Sequence, residues 1–153
     1  MKVSSLKLFT LSFVLVLSTL LFSSHAKAEP PKGPVFFSEL MWRGSSVSTA
    51  DEWIELYNSS DEIVDLSGWV VYNDAKDEGM VEIEKGQIAP RAYFLISNND
   101  KDHEFKNGES VLDIAPDIID SGVSLSNSEF SLSLMNASGD VVDKAGDGRS
   151  PFF

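Results

Sequence analysis

Residues 51–69 read Asp51-Glu52-Trp53-Ile54-Glu55-Leu56-Tyr57-Asn58-Ser59-Ser60-Asp61-Glu62-Ile63-Val64-Asp65-Leu66-Ser67-Gly68-Trp69. Over residues 53–57 the side chains alternate, with Ile54 and Leu56 on one face and Trp53, Glu55 and Tyr57 on the other. A period of two is the mark of a half-buried strand. Asn58-Ser59-Ser60-Asp61 then offers side chains that bond to their own backbone and end the strand in a turn. Leu66-Ser67-Gly68-Trp69 opens the next strand, where Gly68 gives the large Trp69 indole room to pack. Trp69 and Val71 share a face, so Trp69 is expected to be a buried anchor. Strand, polar turn, and strand with an inward Trp read as the middle of an all-β sandwich.

The flanking chain repeats the pattern. Residues 35–41 form a first strand candidate, with Val35, Phe37 and Met41 opposite Phe36 and Leu40. Residues 74–79 are a charged turn, residues 80–84 a short strand, and Lys85-Gly86 turns the chain again. Residues 91–97 are the most hydrophobic of the later strands. Residues 98–110 form a polar loop without periodicity, and residues 111–124 fit neither the helix nor the strand template. Phe130, Leu132 and Leu134 alternate with Ser131 and Ser133 in the clearest one-sided strand of the chain. Asn136-Ala137-Ser138-Gly139 is a hairpin turn, and residues 140–145 return against that strand. Some seven short strands separated by turn signals argue for a sandwich, with no ordinary helix beyond the N-terminal segment.

Glu52-Trp53-Ile54-Glu55-Leu56-Tyr57-Asn58 followed by Asp65-Leu66-Ser67-Gly68-Trp69 resembles the core motif of the lamin tail domain family, in its bacterial secreted type. The likeness continues through Gly86-Gln87-Ile88, Tyr93-Phe94-Leu95-Ile96, Leu125-Ser126-Asn127, Leu132-Ser133-Leu134 and Gly139-Asp140-Val141-Val142-Asp143. It covers roughly residues 35–148. The resemblance implies an immunoglobulin-like β-sandwich that serves as an accessory or interaction module. It implies no catalytic residues, so none is assigned.

The first residues are a different kind of sequence. Lys2 and Lys7 form a basic start, residues 8–22 are an apolar run, and Ala26-Lys27-Ala28 suits a small-x-small cleavage rule. The run is 15 residues long, short of the ~20 that a membrane-spanning helix needs. Residues 1–28 are therefore read as a signal peptide cut after Ala28, with a retained anchor as the rival. Residues 29–34, Glu29-Pro30-Pro31-Lys32-Gly33-Pro34, are a stiff Pro-rich lead-in. Residues 35–148 are the domain and 149–153 a C-terminal tail. Secretion, or retention at the cell envelope, is the expected location.

Composition narrows the function classes. The 153-residue chain has no cysteine, so its core holds without disulfides and thiol chemistry is excluded. Loss of Lys2, Lys7 and Lys27 with the leader moves the formal charge from −12 to −15. Such a surface repels phosphate backbones and anionic lipid heads, so neither nucleic acid nor a membrane is an expected partner.

Candidate sites are few. Asn98, Asp100, Asp102 and Glu109 fall at positions 1, 3, 5 and 12 of a formal calcium loop. His103 stands where the sharp turn requires Gly, and a strand precedes the loop, so it reads as a solvated acidic hairpin. No cofactor is expected; calcium on loop carboxylates, including those near Asp143 and Asp147, is the alternative. His103 is the one histidine of residues 29–153 and lies in a charged loop, unsuited to the fixed orientation a catalytic base needs. Glu52 and Glu55 point to opposite faces of one strand, which argues against paired-carboxylate glycoside chemistry. Trp53 and Tyr57 are the candidate binding face: an aromatic strip if that side is open, or a covered layer if the loop around Trp42 lies over it. Asn58-Ser59-Ser60 and Asn136-Ala137-Ser138 match the glycosylation sequon.

Two functions follow as expectations. One is a secreted, non-catalytic interaction module whose partner is a protein or a surface polymer. The other is the accessory front end of a longer secreted hydrolase of nuclease or phosphatase type. The ending Ser150-Pro151-Phe152-Phe153 motivates the second, since two terminal phenylalanines either dock on the sandwich or lead into a further segment.

Overall fold

A computed structural model describes residues 33–127 and 131–148. The leader, most of the Pro-rich lead-in, Phe130 and the tail lie outside the described residues.

The alternation over residues 53–57 becomes strand β2 (Trp53–Asn58), which follows β1 (Val35–Leu40). A short β3 (Val64–Asp65) leads into β4 (Trp69–Asn73) and β5 (Glu78–Ile83). Then come β6 (Gln87–Ile88), β7 (Tyr93–Ser97) and the small hairpin of β8 (Glu104–Phe105) and β9 (Gly108–Glu109). The order closes with β10 (Ile118–Ile119), β11 (Leu132–Met135) and β12 (Val141–Ala145). Seven of these strands have four or more residues, and no helix occurs among the described residues.

Two four-stranded sheets make the fold. The first runs β1-β2-β7-β10 and the second β12-β11-β4-β5, while β3-β6 and β8-β9 are separate two-stranded pieces. All pairings are antiparallel except β10 on β7, where Ile118 lies opposite Ile96 in parallel register. The inward residues of both sheets form one core. Ile54, Leu56 and Ile96 of the first sheet meet Val71, Val81, Leu132 and Leu134 of the second, all at 0–1% exposure. Each such side chain withdrawn from water contributes ~1.5–3 kcal/mol, and here no cross-link shares the load. Trp69, 8% exposed, joins this core with Val71 as expected.

The motif before Trp69 is a built turn. Asp65 Oδ1 accepts from the Ser67 amide at 2.9 Å and its hydroxyl at 2.6 Å, and Leu66 is fully buried. Gly68 adopts φ 77°, so it is required less for the indole's room than for a left-handed turn. Its N–H donates to Ile83 O at 2.7 Å, and a side chain there would press on Ala137. Gly86 is a close approach: a Cβ would lie 2.9 Å from the Phe94 ring.

One phase expectation is corrected. The register of β1 against β2 slips between Phe37 and Glu39, a β-bulge at Ser38. Leu40 therefore shares the inward side with Val35 and Phe37, not the Phe36 side; Phe37 and Leu40 pack on the core. Met41 falls beyond the strand, its N–H donating to Trp53 O at 2.9 Å. The segment that fitted neither template, residues 111–124, supplies β10 and then buries Val123.

Candidate functional site

The central motif concentrates polar groups that are buried. Ile54, Leu56 and Asn58 share the inward phase of β2, and Glu52, just before the strand, continues it. Asn58 is fully buried, and its Nδ2 donates to the carbonyls of Glu62, Ile88 and Ala89 at 2.7, 3.3 and 3.1 Å. Its Oδ1 accepts from the Ser60 amide at 3.0 Å and hydroxyl at 2.7 Å. The side chain thus ties the end of β2 to the β3–β6 corner and has no capacity to spare.

Glu52 is 4% exposed, and its carboxylate accepts from Leu125 N–H at 2.9 Å. Burial pushes this carboxyl above its ordinary range, against the opposing pull of the Leu125 amide. Asp51, fully buried, accepts from Ser110 Oγ at 2.7 Å and Val111 N–H at 3.1 Å. Two adjacent carboxylates at the start of β2 therefore fasten two long connections, near residues 110–111 and at residue 125. Asp143 and Asp117 do the same for strand edges. Asp143 Oδ2 accepts from Phe37 N–H at 2.8 Å, joining β12 to β1 across the open side of the sandwich. Burial raises the Asp143 carboxyl, offset by amide bonds from Phe37 and Lys144. Asp117 Oδ2 accepts from Leu95 N–H at 2.7 Å and sets β10 beside β7.

Trp53 and Tyr57 share the outward face of the first sheet, but the structure treats them differently. Trp53 is 7% exposed, and its Nε1 donates to Glu39 Oε1 at 3.2 Å. Leu95, on the same face, is 4% exposed. Tyr57 lies between Phe36 of β1 and Tyr93 of β7, with ring centroids 5.7 and 4.8 Å away. The three rings form a row across three strands that ends in Tyr93, 59% exposed. Beside it, Arg91 pairs with Asp61 at 3.0 Å, and Asp61 followed by Tyr57 holds the guanidinium more firmly in its charged form. The open aromatic surface is therefore Phe36, Tyr57 and Tyr93, with Trp53 covered. Trp42 packs against the core from the neighbouring loop.

Residues 98–109, whose spacing is formally that of a calcium loop, make the following bonds. Asn98 Oδ1 accepts from Glu52 N–H at 3.3 Å, while its Nδ2 donates to Ala50 O. Glu104 and Glu109 face each other in the β8–β9 hairpin. His103 is exposed with its ring edge-on to Phe105, 4.5 Å between centroids. Among the described residues, no group of three or more His, Asp or Glu side chains is placed to hold a metal ion. Glu55 faces outward, accepting from Ser38 Oγ at 2.7 Å, so it does not pair with Glu52.

The sequence is matched by a family model, Lamin Tail Domain, over residues 28–149. The chain belongs to the lamin tail domain family. A comparison with curated proteins found none that matches. Lamin tail domains are immunoglobulin-like, interaction-type domains, and the all-β sandwich described above has that character. In this lamin tail domain the signature residues Glu52 and Asn58 act on the fold itself, through backbone amides and carbonyls. The alternation that reveals Ile54 and Leu56 also assigns Glu52 and Asn58 to the inner face, a signal available in the sequence. Asp51, Asp117 and Asp143 carry no such signal, because their partners lie 22 or more residues away.

Proposed function

We propose that this lamin tail domain is a secreted, non-catalytic interaction module working at the cell surface or outside the cell. The observation that carries the reading is the outward row Phe36–Tyr57–Tyr93. Large, stiff rings on a β-sheet face supply contact area at small entropic cost, which is how aromatic residues serve at interfaces. The leader-like residues 1–28 and the high acidity are the support for an extracellular setting, and they favour a protein or surface polymer over nucleic acid or anionic lipid.

The test has two arms. Fractionation of cells producing the epitope-tagged chain should recover it, shortened at Ala28, outside the cytoplasm; recovery of uncut chain in the cytoplasm removes the secreted reading. Immobilised chain should then retain an envelope component that Tyr57→Ala and Tyr93→Ala release. Retention equal to that of a charge-matched control domain, or indifferent to both variants, counts against the module.

A further inference from the structure

The second sheet carries a separate feature on its outward face. Val70 of β4, Met135 of β11 and Ala137 of the following turn floor a groove of 440 Å³, walled by Tyr72 and Glu82. Its position follows from the register. Tyr72 lies opposite Gly79, and Val70 lies opposite Glu82. Between these pairs β5 holds one extra residue, Met80, which packs on the core. Gly79 therefore stands where the neighbouring outward side chain would fill the space beside Tyr72. A Cβ there would meet only Val70 Cγ1, at an ordinary 3.5 Å. The groove is open for want of a side chain, not because of a strained backbone.

Its tyrosine wall is held in place. Tyr72 Oη donates to Asp77 Oδ1 at 2.8 Å, and Asp77 occupies φ 56°, a left-handed conformation that costs free energy for a residue with a Cβ. One carboxylate lines the groove and two more are bonded to residues that line it. Glu82 lines the groove, Asp77 holds its tyrosine, and Asp140 accepts from Asn136 Nδ2 at the far end at 3.3 Å. None of the lining residues is Lys or Arg, and the nearby Lys144 is paired with Asp74 at 3.3 Å.

We infer that this groove is a peptide-binding site for an extended basic segment that places one aliphatic side chain on the Val70–Met135 floor and a flanking Lys or Arg beside Glu82. Charge decides the occupant. A second copy of this chain brings the same net charge, −12 for the whole sequence and more negative once the leader is lost, and is repelled, as are phosphate-bearing polymers and anionic lipid surfaces. An apolar floor with an acidic rim is complementary to an apolar residue flanked by cations. The site rests on the reading of the chain as an interaction module, but it lies on the other sheet from the aromatic row.

A displayed random heptapeptide library, panned on the immobilised full chain, tests it. The expected enrichment is for an aliphatic residue next to Lys or Arg. Gly79→Leu, which fills the groove, and Glu82→Lys, which reverses the exposed wall charge, should each lower binding of a selected synthetic peptide by about tenfold or more, the scale of one lost side-chain anchor. Tyr93→Ala should leave it unchanged. Thermal melts establish that each variant is folded, and Glu82→Lys serves if Gly79→Leu is not. Enrichment of acidic or purely polar peptides, no enrichment at all, or binding that survives Glu82→Lys overturns the groove. Binding lost with Tyr93→Ala but kept in Gly79→Leu also overturns it, yet leaves the module reading standing.

Discussion

The two outward faces of this sandwich are built on opposite plans. On the first sheet, Trp53 and Leu95 are nearly sealed, so at that end β2 and β7 are covered on both sides. The second sheet keeps an open groove over Val70 and Met135 and carries a polar cluster on the same sheet. There Asp74 accepts from Ser131 Oγ at 2.9 Å and Ser133 Oγ at 2.8 Å, with Lys144 alongside at 3.3 Å. Without disulfides, the domain gains a second patch of apolar burial on one sheet and leaves the other thin. Contact surface thus lies at the open end of the first sheet, at Tyr57 and Tyr93, and over the groove of the second, while the sealed end around Trp53 adds stability.

The sharpest way to break this comparison is at Trp53. Its burial equals that of Trp69, 7% against 8%. Both Trp→Ala variants should therefore lose ~3–5 kcal/mol in urea melts, a large share of a typical domain's ~5–15 kcal/mol. A loss at Trp53 well below that at Trp69 would mean the first sheet's outward face is thin as well.

Glu52 comes next. Glu52→Ala strands the Leu125 amide and should cost ~1–3 kcal/mol, whereas Glu52→Gln keeps an acceptor and removes the buried charge. The Gln variant should match or exceed the parent at neutral pH. Equal losses for Ala and Gln would show that the charge itself is required.

Acidity then separates the two plans by sign. Burial raises the Glu52 carboxyl above its ordinary 4.5, so the folded chain holds that proton more tightly. The stability this gives is fully present below 4.5 and is lost as pH rises through the folded value. Asp74 behaves oppositely. Burial alone would raise it, but Ser133, Ser131 and Lys144 together bring it below its ordinary 3.8. Its contribution is present above 3.8 and is lost as pH falls through the folded value. Glu52→Gln should flatten the stability profile above 4.5, and Asp74→Asn below 3.8. Both variants altering the same limb would contradict the assignment.

The smallest expected effect is at Tyr93. Being 59% exposed, its replacement by Ala should change stability by no more than ~0.5 kcal/mol. A larger loss would mean the aromatic row is structural packing and not contact surface.

The all-β sandwich, the inward Trp69 and the turn at residues 136–139 were legible because each is a local pattern of alternation or turn chemistry. The Ser38 bulge was not, since one extra residue reverses the phase of everything after it and nothing in residues 35–41 marks the slip. β10 was illegible because two residues carry no period, and its parallel pairing depends on Asp117 reaching the distant Leu95 amide. Of the candidate face, Tyr57 was legible as outward, but the cover over Trp53 depends on tertiary placement. The groove was hidden because Gly79 reads in sequence as the end of a charged turn over residues 74–79, whereas β5 already begins at Glu78.

Asn58 carries a consequence in time. The nitrogen that a glycan would occupy in the Asn58-Ser59-Ser60 sequon is the one whose two N–H groups are already shared among three carbonyls in a fully buried site. Sugar attachment and folding thus compete for a single atom, and whichever comes first excludes the other. In a glycosylating secretory host, occupancy at Asn58 would count the molecules that were still unfolded when the transferase reached them. Asn136 is half-exposed and its Nδ2 makes a 3.3 Å bond to Asp140, so its occupancy would depend far less on folding.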